Sequence, residues 1–169
     1  DPNTVRDLQS LELSGNGIAV SKLGEAEVMI DAGVQDILIA NEIIGKNKIE
    51  RLGKLTKRGA ISVCVDSIEG IEQLNSCLPV DGTRIAVLIE IDTGMNRCGV
   101  SNIDKVSNLL NYLVKSNKCI FKGFLSHSGN IYGASNKEEL EQIAMSEISK
   151  IVHQAEYWRD EGVAVETAS

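Results

Sequence analysis

Short apolar runs alternate with helix-length amphipathic stretches from one end of this 169-residue chain to the other. Residues 18–20, 36–40, 61–65, 84–91, 120–125 and 163–165 read as strands, each a compact run rich in Val, Ile and Leu. Between them, residues 23–32, 47–57, 68–77, 103–115 and 137–161 carry helical spacing. In 103–115 the apolar positions Ile103, Val106, Leu109, Leu110 and Leu113 fall on one face. Gly33 and Gly59 close two of these helices, and Asp66-Ser67 precedes the third as a cap. A further helix is expected from Asp1-Pro2-Asn3-Thr4 onward, with Val5, Leu8, Leu11 and Leu13 on its core side, stopping at Ser14-Gly15-Asn16-Gly17. Strands that alternate with helices of this length build βα units, so the expected class is α/β with a parallel sheet. No Pro/Gly-rich or low-complexity stretch divides the chain, which predicts a single domain over 1–169.

Composition removes several function classes. The formal charge is -7, from 24 acidic residues against 17 Lys and Arg, and no basic run occurs. With aromatic residues at 4%, neither phosphate tracking nor base stacking has a footing, so no nucleic-acid partner is expected. No apolar stretch reaches the length of a membrane span. Cys64, Cys77, Cys98 and Cys119 form no Cys-x-x-Cys pair, so they read as free thiols in a reducing, cytoplasmic setting. Two scattered histidines cannot assemble a metal centre alone, so no metal ligands are assigned within the chain.

The segment from Ile85 to Val100 carries the most chemistry. The run from Ile85 to Ile91 reads as a strand buried on both faces. It enters the turn Asp92-Thr93-Gly94, which delivers Arg97 between Asn96 and Cys98-Gly99. An arginine just past the C-terminal end of a buried parallel strand stands where α/β folds place anion sites. His127 stands in the same relation to the strand at 120–125, amid Ser126, Ser128, Gly129, Asn130 and Tyr132. Asn41 and Glu42 end another strand and are candidates to line the same mouth. His153 lies within a helix and reads as a surface residue.

Three segments resemble the pyridoxal-phosphate barrels of the alanine-racemase type, in the branch of D-threonine aldolase and eukaryotic-type D-serine dehydratase. They are Asp92-Thr-Gly-Met-Asn-Arg-Cys-Gly-Val100, Val20-Ser-Lys-Leu-Gly-Glu-Ala-Glu-Val-Met29 with Asp36-Ile-Leu-Ile-Ala-Asn-Glu42, and Gly123-Phe-Leu-Ser-His-Ser-Gly-Asn-Ile-Tyr132. The resemblance implies a partial TIM (β/α)8 barrel of six parallel strands, with the first and last strands and a C-terminal β domain lying outside this sequence. The chain begins on Asp and stops at a strand end, which fits the expectation of a fragment.

By this resemblance Arg97 faces the phenolate oxygen of pyridoxal phosphate and His127 lies against its ring. Tyr132 joins the cofactor site, and Thr167-Ala168-Ser169 stands where the family has its phosphate loop. The usual glycine is missing there, and Glu166 would repel a phosphate unless it pointed away. The Schiff-base lysine of the family falls before Asp1. Lys22 follows a different strand and reads as a solvated residue, with Gly24 and Glu25 shaping the helix start beside it. The implied activity is that of a lyase on D-hydroxy amino acids, inactive as this piece. The longer protein would use a divalent metal, zinc or manganese, and could form a homodimer. An amino-acid racemase and a non-catalytic pyridoxal-phosphate-binding protein are the alternatives. Arg-Cys-Gly-Val favours the lyase branch over the racemases.

Overall fold

The computed structural model describes residues 17–169, so the helix expected from Asp1 lies outside the described residues. Within them the chain forms β1 (Ile18–Val20), α1 (Leu23–Asp31), β2 (Asp36–Glu42), α2 (Lys46–Leu55), β3 (Ala60–Val65), α3 (Ile68–Cys77), β4 (Ile85–Glu90), α4 (Ile103–Leu113), β5 (Cys119–Leu125), a 3-10 turn (Gly129–Gly133), α5 (Lys137–Asp160) and β6 (Thr167–Ala168). The six strands make one sheet in the order β1-β2-β3-β4-β5-β6, every neighbour parallel. A sequential parallel sheet with a crossover helix after each of the first five strands is the parallel α/β sheet that the alternation predicted, and it matches the partial barrel that the resemblance implied.

Strand parity sorts side chains between the two faces of the sheet. Ile37, Ile39, Ile61, Val63, Ile85, Val87, Ile89 and Phe124 point outward and pack with helix residues Ile30, Leu52, Ile71, Leu74, Leu109 and Trp158 in the main core. Cys64, Leu88 and Leu125, with Leu38 and Ala40 beside them, form a second, smaller cluster on the inner face. This explains why β4 reads as an uninterrupted apolar run: both its faces are covered.

The helix starts follow local chemistry. Ser67 Oγ accepts from the Gly70 amide at 3.3 Å, Asn102 Oδ1 from Lys105 at 2.9 Å and Asn136 Oδ1 from Glu139 at 2.8 Å. Glu25 Oε2 takes the amides of Ser21 and Lys22 at 2.8 and 3.2 Å, which bears out the architectural reading of the Lys22–Glu25 turn.

The last strand falls later than the sequence suggested. Residues 163–165 take no part in the ladder, and Thr167–Ala168 pairs with Gly123 and Phe124 instead. Gly123 makes this possible. Its φ is 153°, and a Cβ there would collide with the Thr167 carbonyl. A two-residue strand carries no hydrophobic pattern, so only the glycine opposite it could have marked the position.

Candidate active site

The C-terminal ends of β1, β2, β4 and β5 surround one cavity of about 400 Å³, lined by Ser21, Asn41, Glu90, Arg97, Ser126 and His127 among others. Arg97 and His127, which the sequence placed at two separate strand ends, therefore share a rim. Asn41 reaches it too, its amide nitrogen donating to the Ser21 carbonyl at 3.2 Å.

Arg97 is delivered by a closed loop. The Asp92 amide donates to the Val100 carbonyl at 3.0 Å and the Val100 amide to the Glu90 carbonyl at 2.9 Å. Asp92 Oδ1 accepts from the amides of Gly94 and Asn96 at 2.9 and 3.1 Å. Gly99 makes the return: its φ is 93°, and a Cβ would stand 2.7 Å from the Asp92 nitrogen. The Gly99 amide then donates to Asp66 Oδ2 at 3.2 Å, tying the loop to the end of β3.

Beneath Arg97 lies a residue the sequence reading left inside an apolar run. Glu90 shares parity with Leu88, so it faces the inner surface, where it is 4% exposed. Its Oε1 stands 3.8 Å from Arg97 Nη2. Glu42 comes alongside from β2, where a register irregularity between Ile39 and Glu42 sets Glu42 opposite Cys64. Glu42 Oε1 is buried and accepts no hydrogen bond. Burial first, then the close approach and charge of Glu42, push the Glu90 carboxyl up to about 8, against a smaller opposing pull from Arg97. The signal was available: a charged residue within a buried strand needs a partner, and Arg97 follows it closely in sequence.

Carboxylate oxygens of Glu42 and Glu90 and the Cys98 sulfur lie within 4.8 Å of one another. A cation already serves this group, because Arg97 contacts it, and we assign no metal to it. Burial and the two glutamates push the Cys98 thiol up, as burial does at Cys64, so neither is a ready thiolate.

The remaining expected residues divide. Thr93 Oγ1 and Ser126 Oγ are 2.8 Å apart, and Lys150 Nζ donates to the Thr93 carbonyl. Tyr132 does not line the cavity: the 3-10 turn carries it outward, and it is 83% exposed. Thr167 and Ser169 belong to the β6 edge rather than to a free loop. The Ser169 amide donates to the Phe124 carbonyl at 3.1 Å, so that N–H is committed to the sheet. Both hydroxyls stay exposed, while Glu166 turns away to Lys122 at 2.7 Å. Lys22 is also outside the cavity, its Nζ 3.7 Å from Glu25 and its side chain 75% exposed. His153 is exposed on α5.

No described helix is long and apolar enough to cross a membrane. Comparison with known proteins places this geometry. D-threonine aldolase of an Arthrobacter species is 32% identical over 160 residues, covering 95% of this chain and 42% of the relative. The 3-hydroxy-D-aspartate aldolase of Paracoccus denitrificans (strain Pd 1222) is 30% identical over 167 residues, covering 96% and 43%. The crystal structure of D-threonine aldolase from Filomicrobium marinum superposes with a TM-score of 0.89 at 32% identity, over 99% of this chain and 45% of that one. The chain thus spans less than half the length of these relatives. The alanine racemase N-terminal domain matches residues 4–169, and the chain belongs to that family.

Proposed function

We propose that this chain is the cofactor-binding part, one incomplete barrel domain over 1–169, of a pyridoxal-phosphate-dependent lyase acting on D-3-hydroxy amino acids. The observation that carries the reading is the convergence of Arg97 and His127, from two strand ends, on one cavity at the C-terminal mouth of the sheet. The likeness to two D-hydroxy amino acid aldolases supports the lyase branch over a racemase.

The donor set suits a planar anionic cofactor at its phenolate and ring end. Arg97 offers a permanent cation to a phenolate oxygen, with a planar fork that fixes direction as well as charge. His127 and the Leu125 and Ala40 side chains provide ring-sized contact surface on the cavity wall. The Thr167 and Ser169 hydroxyls stand beside this end of the sheet as phosphate donors. Bound pyridoxal phosphate supplies an electron sink for cleavage of the bond beside the amino carbon. The protein's work here is orientation and charge: Arg97 keeps the phenolate deprotonated, and Glu90 holds Arg97 against the wall. A Schiff-base lysine and a divalent metal, zinc or manganese, that takes the substrate hydroxyl would come from the rest of a longer, cytoplasmic and homodimeric protein.

The test is a titration of the chain with pyridoxal phosphate, followed by absorbance, beside Arg97→Ala. Saturable binding at one site that weakens in the variant is expected. The full-length protein should then cleave or dehydrate D-threonine or D-3-hydroxyaspartate and leave the L-enantiomers untouched. Equal turnover of both enantiomers, or racemisation of alanine as the main activity, would replace this reading with the racemase one.

A further inference from the structure

Three charged side chains meet on the inner face of the sheet, and their signs do not balance. Glu42 arrives from β2 and Glu90 from β4, their carboxylate oxygens within 4.8 Å of each other, and Glu90 meets Arg97 at 3.8 Å. Two carboxylates against one guanidinium leave a net negative charge where Glu90 is almost wholly buried. The other groups facing Glu90 cannot make up the difference. From β3 come the Cys64 thiol and, just beyond, Asp66, which adds negative charge. From the loop after β4 comes the Cys98 thiol, held neutral by burial and the same two glutamates. From the end of β5 comes His127, exposed on the rim, and among the described residues no lysine lines the cavity. The Glu42 oxygen without a hydrogen-bond donor points to the same deficit. A proton between the two carboxyls would satisfy that oxygen and bring the group of three to neutrality.

We propose that Glu42 and Glu90 form a carboxyl–carboxylate pair that shares one proton, and that this pair is the positioning partner of Arg97. With the proton in place, the pair's single negative charge anchors the guanidinium and leaves its outer edge attractive to an anion. Loss of the proton doubles the negative charge beneath Arg97 and weakens the cavity's hold on an anionic ligand. The pairing rests on the closeness of the two carboxyls and on the Glu42 oxygen that has no donor, with the raised Glu90 carboxyl in support. Its effect on pyridoxal phosphate rests on the function proposed above.

The first measurement reads the proton without any ligand. Carbon-13 NMR of the chain with labelled glutamate carboxyls should show one resonance still titrating near pH 8, where the pair's raised value falls. That titration should disappear in Glu90→Gln. In Glu42→Gln, a milder change at a half-buried site, Glu90 should titrate markedly lower. Glu50→Gln, on the exposed face of α2, should leave it alone. Glutamates that all titrate in the ordinary carboxylate range would overturn the pairing. So would a high titration that keeps its midpoint in Glu42→Gln, since desolvation alone would then explain it.

The second measurement compares the affinity for pyridoxine 5′-phosphate, which cannot form a Schiff base, in native and Glu42→Gln chains from about pH 6.5 to about pH 9. The ratio of native to variant affinity should fall by about tenfold across that range, the weight of one added charge close to the bound anion after screening. Taking the ratio removes the ligand's own ionisation. A flat ratio would overturn the positioning role even if the NMR pair is present. Absence of binding by both chains, with the NMR titration intact, would defeat the proposed function and leave the proton pair standing.

Discussion

The Thr93 and Ser126 hydroxyls stand 2.8 Å apart and join the loop that presents Arg97 to the segment that presents His127. Each residue lies at the mouth end of a neighbouring strand. Lys150 of α5 reinforces the same loop through the Thr93 carbonyl. The site is thus assembled from two elements that are locked side to side below the functional groups, rather than from two independent loops.

Thr93→Val and Ser126→Ala should each lower stability by about 1 kcal/mol, because Thr93 is buried and a lone hydroxyl would remain. The double variant should cost less than the sum of the two. Urea unfolding of the four chains completes the cycle. Strict additivity would mean that the two hydroxyls bond elsewhere.

Two glycines with similar backbone angles separate strain from collision. Gly33 (φ 95°) has open space where a Cβ would go, whereas Gly99 (φ 93°) meets the Asp92 nitrogen at 2.7 Å and the Glu90 carbonyl oxygen at 3.0 Å. Gly33→Ala should cost about 1 kcal/mol, the left-handed penalty alone. Gly99→Ala should cost about 1–3 kcal/mol more, since backbone atoms must move. It should also weaken ligand binding, because those atoms end the strand that carries Glu90. Denaturant midpoints and pyridoxal-phosphate titrations of the two variants check this, and equal losses would refute it.

Much of this arrangement is legible in the sequence, for identifiable reasons. Strand and helix alternate at lengths that hydrophobic period alone resolves, so five of the six strands fall within a residue or two of their expected bounds. Arg97 and His127 could be placed on one rim because every parallel strand ends on the same side of the sheet. Parity in β4 could have assigned Glu90 to the inner face, but an apolar run buried on both sides hides parity. The bulge that brings Glu42 beside it has no sequence mark of its own. That Tyr132 turns outward has no sequence mark either, because a 3-10 turn rotates side chains differently from an extended strand exit.

The proton pair has a consequence for stability. Glu90 in the folded chain is raised from its ordinary 4.5 to about 8, so the native state binds more protons than the unfolded chain between those values. Stability from this source is complete below about 4.5, declines as pH rises, and is lost above about 8. The slope is at most about 1.4 kcal/mol per pH unit. Urea midpoints of the native chain should therefore fall from about pH 5 to about pH 8 relative to Glu42→Gln, whose curve should be flatter. Parallel curves would show that Glu42 does not hold the Glu90 proton.

Lys22 should not serve as the cofactor's attachment point. Its ammonium is solvated, sits beside Glu25 and lies outside the cavity, away from the groups that would meet the cofactor. Borohydride reduction of the chain in pyridoxal phosphate, followed by peptide mass spectrometry, should label Lys22 no more than the exposed Lys46 or Lys137. A single dominant label on Lys22 would overturn this and make the chain self-sufficient for the covalent step.

Arg97 gives the most direct test of the site. Removing it takes away both the cation offered to the ligand and the cation that, among the described residues, pairs with Glu90. Arg97→Ala should weaken pyridoxal-phosphate binding by about tenfold or more, as loss of a charge-assisted contact requires. The fold should survive, because the Glu42–Glu90 pair can take up a second proton and become neutral. That uptake is visible: the high carboxyl titration should move further up in Arg97→Ala. Arg97→Lys should restore the titration, which needs only a nearby charge. It should restore binding only in part, because an ammonium lacks the two-pronged donor that a phenolate edge meets. His127→Ala should weaken binding while leaving the titration nearly in place, since Glu42, Arg97 and Asp66, and not His127, are the charged groups that shift Glu90. Full binding in Arg97→Ala would reduce Arg97 to a structural partner of Glu90 and remove the site's best-supported residue.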